Sequence, residues 1–236
     1  MGINFFEQTT EPNGENREEG VTPEVAMENT GNSILVKDLP VDAQVALAKK
    51  TKNPSILTEL AENEKLGILI ALGGNPNSTK KILDDLSRRP EEKIQLAVAG
   101  NTSVDSDQLN NLSLSRCEDV LILVGANPKT RRVALDKLSK SSLRDVLLKV
   151  ASNKNSSQNA LFKVASFASS HKCTVCSEVL SNPTVTIGTV IKIISGCGEP
   201  FRRNHHGCVE SVVLWLKKWY SKNGKQIIEG NLDSIK

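Results

Sequence analysis

The chain has 236 residues, enough for one or two domains with a substantial core, with 38% hydrophobic, 24% charged and only 3% aromatic side chains. No apolar run approaches the roughly 20 residues of a membrane span, and a core with so few rings must be built from Leu, Ile, Val and Ala. The net charge of +3 is unevenly spread: residues 1–40 carry eight acidic and two basic side chains, a net −6, which leaves +9 on the remainder.

The first segment, residues 1–39, is acidic, rich in Gly, Asn and Glu, and without hydrophobic period, so it is expected to be a disordered arm. It has no basic start and no long apolar centre, and Phe6 stands where a myristoylation site needs Ser or Thr. The expectation is a cytoplasmic protein whose five Cys are thiols or metal ligands and not disulfides. A solvated tail, a tail folded onto the basic body, and a partner-binding tail all remain open for the arm.

Residues 40–198 repeat. A Leu pair three apart falls at Leu57/Leu60, Leu83/Leu86, Leu109/Leu112, Leu135/Leu138 and Leu161/Val164, each 26 residues after the last, and Val190/Ile193 follows after 29. A second block keeps the step of 26: Ile68, Ile70, Leu72; Ile94, Leu96, Val98; Val120, Ile122, Val124; Val146, Leu148, Val150. The first block has the three-and-four spacing of a helix. The second alternates at period two, which would suit a strand. Its Ala and Gly content and the i, i+3, i+4 pattern of "LRDVLLKVAS" favour a helix, with Ala71, Gly73, Ala97, Ala99, Gly125 and Ala151 allowing close approach. Two helices per unit, neither able to bury its face alone, imply a stack of repeats. Asn53, Asn75, Asn101, Asn127, Asn153 and Asn182 precede the first helices, four of them followed by Pro, and are expected to be N-caps.

The pattern N-P-x6-L-x-x-L followed by an apolar x-x-V-A-x-N-P block resembles the bacterial leucine-rich repeat variant family, a HEAT-like helical repeat. The resemblance covers about residues 41–195 and implies an all-α, right-handed α/α (α/3₁₀) solenoid of about six units of ~26 residues, in which α-helices alternate with 3₁₀-helices. The units here are longer than the family's, and its frequent Arg in the second segment is missing. Some relatives carry an N-terminal iron–sulfur module, but residues 1–116 contain no Cys.

The last region concentrates Cys173, Cys176, Cys197 and Cys208 beside His171, His205 and His206, while Cys117 stands apart as a half-buried small residue. Cys-x2-Cys suits one metal ion, but the second pair is ten residues apart, not two. Ordinary thiols, a Zn or Fe–S site on these four Cys, and a redox dithiol at Cys173/Cys176 therefore stay open, with no cofactor the leading expectation. Residues 199–236 are expected to supply a cap helix and tail, with Val209, Val212, Val213, Leu216 and Trp219 on its apolar face and an aromatic partner site as the alternative.

No nucleophile elbow, phosphate loop or HExxH motif occurs, so catalysis is not expected. Basic clusters at 80–81, 88–89, 129–132 and 201–206 raise nucleic-acid binding through the body. No basic position is kept through the units, and the repeats lack stacking aromatics. The leading expectation is a monomeric scaffold for protein–protein interaction, its partner unidentified, with no membrane association.

Overall fold

The computed structural model describes residues 35–171, 173–196 and 210–222, and within them every regular element is helical. A 3₁₀ turn, Val36–Asp38, leads into α1 (Val41–Lys50). Then come α2 (Pro54–Ala61), α3 (Leu66–Gly74), α4 (Lys80–Ser87), α5 (Glu92–Ala99), α6 (Ser106–Leu112) and α7 (Glu118–Ala126). They are followed by α8 (Arg132–Leu138), α9 (Arg144–Ser152), α10 (Gln158–His171), α11 (Cys173–Ser181), α12 (Ile187–Gly196) and α13, residues 210–222. The expected arm lies outside the described residues up to position 34.

Helices this short, seven to ten residues for most, are marginal alone and owe their stability to packing. Each of the expected Leu pairs is buried, from Leu57/Leu60 to Val190/Ile193, at 3% exposure or less. A fully buried Leu contributes about 2 kcal/mol. The even helices carry these pairs and the odd helices carry the second block. Alternate helices touch: α1 packs on α3, α3 on α5, α5 on α7, α7 on α9 and α9 on α11, and α4, α6, α8, α10 and α12 contact one another in the same order. The all-α expectation holds for the described residues. One expectation taken from the resemblance is corrected, because α3, α5, α7 and α9 are α-helices of eight or nine residues and not 3₁₀ turns. Their residues i and i+4 are both buried, a spacing that suits the α-helix.

The small residues also do as expected. Gly73 and Gly125 stand against the next odd helix: a Cβ on Gly73 would meet the Ala97 Cβ at 3.2 Å, and one on Gly125 the Lys149 Cβ at 3.0 Å. Ala99 and Ala151 occupy the same register and are buried.

The Asn expectation needs the largest correction. Asn53 is an N-cap, its Oδ1 accepting from Ser55 N–H with Pro54 in the first turn. Asn75, Asn101, Asn127, Asn153 and Asn182 instead close the preceding helix, five residues before the next begins. The starts of α4, α6 and α10 are capped by Thr79, by Asp105 in a capping box with Gln108, and by the Ser157 hydroxyl accepting from Ala160 N–H, while α8 starts after Arg131 with no side-chain cap. Each of the five Asn holds its own turn by accepting from the N–H two residues on. Four of them also reach backwards. The Asn75 amide donates to the Ala48 and Thr51 carbonyls, and Asn101 donates to those of Gly73 and Asn75. Asn153 donates to Gly125 and Asn127, and Asn182 to Ala151 and Asn153, at 2.6–3.0 Å. The physical reason is that the last carbonyls of an odd helix have no partner within the helix. A buried amide can accept and donate at once, and so satisfies both its own turn and the neighbouring one.

A second column lies two positions after the Asn. Ser103 Oγ donates to the Pro76 carbonyl, Lys129 Nζ to those of Thr102 and Val104, and Asn155 Nδ2 to those of Pro128 and Thr130. Within each turn Ser78, Thr130 and Ser156 donate to the carbonyls of Leu72, Val124 and Val150. The fifth pair departs from the rest: α10 runs 14 residues to His171, and α11 begins at Cys173.

Candidate functional site

The odd helices explain the alternation in the second block. A helix can bury i and i+4 against one neighbour layer, and Ile68/Leu72, Ile94/Val98, Val120/Val124 and Val146/Val150 are all 0% exposed. The middle residue of each triplet lies on a different side of its helix. Ile70, Ile122 and Leu148 are half-buried and Leu96 is 38% exposed. Four consecutive odd helices therefore present Ile or Leu at one register position where the core does not enclose it. Four residues later, on the same side of each helix, come Gly74, Gly100, Ala126 and Ser152, all exposed and all small. Leu66 and Leu123 add exposed apolar surface to the same helices at 44% and 36%. The result is a row of incompletely buried apolar side chains bordered by short ones on four consecutive odd helices. The triplets carried this signal in the sequence, since three apolar residues at i, i+2 and i+4 exceed what one helical face can bury.

A few charged residues near the even-helix starts engage one another. Lys80 Nζ contacts Asp105 at 2.7 Å and Asp107 at 2.9 Å, and Asp107 pairs with Arg131 at 3.3 Å. Signs thus alternate along three consecutive even-helix starts. Hydrogen bonds to both carboxylates push the Lys80 ammonium above its ordinary value. Burial raises the Asp105 carboxyl, but the Lys80 ammonium and the N–H groups of Asp107 and Gln108 outweigh it and hold it low. Arg131, Arg132, Val133, Lys154 and Asn155 line an open cleft beside this row.

The candidate metal ligands divide between described and undescribed parts. Cys173 opens α11, and Cys176, one turn on, is 1% exposed within the apolar core. Cys197 and Cys208 lie outside the described residues, as do His205 and His206. Cys117 is half-buried and immediately precedes α7, as expected.

At the end of the chain, α13 turns Val212, Trp215 and Leu216 to the core. Val213 is 42% exposed and not on the inner face as expected, because positions 212, 215, 216 and 219 form the stripe of the helix. Val209 lies outside the described residues. Trp215 and Trp219 stack with centroids 6.3 Å apart. They form one wall of a groove of about 510 Å³ against Leu180, Pro183 and Val185. Among the described residues, no helix is long and apolar enough to cross a membrane. In comparison with known proteins, the chain matches no family model, no curated protein and no solved structure.

Proposed function

We propose that this chain is a helical-repeat scaffold that binds a protein partner along the exposed face of α3, α5, α7 and α9. The single observation carrying the reading is the column Ile70, Leu96, Ile122 and Leu148, which keeps apolar identity at a position that folding leaves partly in water. Isolated exposed apolar residues are ordinary, but a contiguous line of them is characteristic of an interaction surface. The neighbour-to-neighbour packing supports a right-handed α/α solenoid of about six ~26-residue repeats, of the leucine-rich repeat variant kind. Such stacks use extended faces to hold partners. The reading assigns the chain no catalytic step.

A nucleic-acid reading would place the backbone on the Arg131, Arg132 and Lys154 cleft. Against it, Arg131 and Lys80 are occupied by Asp107 and Asp105, and Lys129 by backbone carbonyls.

The test substitutes Leu96→Lys, alone and with Leu148→Lys, and compares affinity capture from lysate with that of the wild type. Stability should hold within about 0.5 kcal/mol for the exposed Leu96, and specific captured proteins should be lost. An unchanged captured set in both variants refutes the assignment of this face. Generic DNA or RNA binding with micromolar affinity and a steep salt slope would favour the cleft instead.

A further inference from the structure

Aromatic side chains are scarce in this chain, with five Phe, two Trp and one Tyr. Their placement is not uniform. Trp215, Trp219 and Tyr220 all lie on α13, and Phe5 and Phe6 stand side by side near the other terminus. The groove between α11, the turn after it and α13 is lined by Leu180, Pro183, Val185 and the Trp215–Trp219 stack, with polar Ser and Asn side chains among them. Lys218 and Lys222, one helical turn apart, also line it and pair with no carboxylate among the described residues. The occupant that this lining selects is a short apolar-aromatic segment followed by acids.

The chain contains such a segment. Ile3, Phe5 and Phe6 precede Glu7 and Glu11, and residues 1–34 hold seven acidic side chains against Arg17. We propose that the chain's own Ile3–Glu7 segment occupies the α11/α13 groove, with Phe5 and Phe6 against the Trp pair and the following acids facing Lys218 and Lys222. Reach permits it. The 28 residues from Glu7 to Leu35 extend to at most ~90 Å, whereas six interhelical steps of ~10 Å separate α1 from α13 in the proposed stack. Tethering raises the local concentration of the segment to the millimolar range, so a weak contact suffices. Aromatic pairs in such a site favour offset or edge-to-face contact with the indoles. Sequestering Phe5 and Phe6 would also remove an exposed aromatic pair from solvent, and an external acidic-aromatic peptide would have to displace it.

Trp215 and Trp219 are the only Trp residues, so fluorescence of the full chain excited selectively at Trp reports on this groove. The experiment compares the wild type with Phe5→Ala/Phe6→Ala, whose helical content is checked by circular dichroism. Docking predicts wild-type emission to the blue of the double variant, with the difference independent of protein concentration. A synthetic peptide of residues 1–12, added to the double variant, should restore the blue shift saturably, and added salt should weaken that restoration. Coincident spectra with no response to peptide would overturn the proposal and leave the groove to the tail 223–236 or to an outside protein. A wild-type shift that disappears on dilution would place the segment in a second copy and overturn the intramolecular form. Neither outcome depends on the Leu96 face, so the two proposals fail separately.

Discussion

The Asn101 side-chain amide donates to the carbonyl oxygen of Gly73, 28 residues earlier, at 2.7 Å. The same Gly73 has no room for a side chain without pressing on Ala97 and Val98. A small residue and a buried amide thus act together, since the first lets the helices approach and the second fills the hydrogen-bonding demand that approach creates.

The amide contacts give a graded prediction. Asn101→Ala strands two carbonyls and the Ser103 N–H, and should cost about 3 kcal/mol in urea denaturation. Asn127 is half-buried and, among the described residues, its side chain makes only the turn bond to Lys129 N–H. Asn127→Ala should therefore cost about 1 kcal/mol. Equal losses at the two sites would show that the backward amide bonds add nothing.

Glycine substitutions separate helix propensity from close approach. Gly74 has nothing within 4 Å of its would-be Cβ. Gly74→Ala should raise stability by up to about 1 kcal/mol. Gly125→Val meets Lys149 and the Val150 backbone at 3.0 and 3.7 Å. It should lower stability by about 2 kcal/mol, read as opposite shifts in thermal midpoint.

The charge row predicts a weak acid dependence. Asp105 titrates below its ordinary value when folded. Its contribution is therefore present above about pH 4, the unfolded value, and is lost as pH falls through the lower folded value. Because the pair is largely exposed, the effect should be small and should shrink with salt. Asp105→Asn should flatten stability over that acid window, and an unaltered pH profile would remove the ion pair from the account.

Cys176 decides between core thiol and ligand. Buried at 1% exposure in the apolar core, it should lose about 1 kcal/mol on truncation to Ala. Cys176→Ser should lose about 1–2 kcal/mol from burying a hydroxyl. Chelators should leave the melting transition of the full chain unmoved. Stoichiometric zinc or iron in anaerobically purified protein would reverse this assignment.

The helices and their buried faces were legible because the Leu pairs and the outer members of each triplet obey the 3.6-residue period, and burial follows that period closely. The Asn residues were harder to place. Asn53 and Asn75 are 22 positions apart, not 26, so the two belong to different columns: Asn53 aligns with Thr79 and Asp105, the residues that do cap helices. The Pro that follows Asn75, Asn127 and Asn182 suggested a helix start, yet Pro also fits the first corner of the tight turn seen there. The backward amide bonds could not be read from sequence, since they join residues 24–31 apart whose proximity arises only after the helices pack. Leu96 and its half-buried equivalents were visible as apolar residues but not as incompletely buried ones, because period-two spacing hides which member a helix leaves partly outside.

The amide bonds of Asn75, Asn101, Asn153 and Asn182 each join one turn to the turn before it and reach no further. Tension drawn between the chain's ends would load these links in series. If the proposed stack holds, each link would yield together with the apolar contacts of its own helix pair and not all at once. At the turn of Asn127 the backward link is made by Lys129 Nζ to the Thr102 and Val104 carbonyls instead of by the Asn amide.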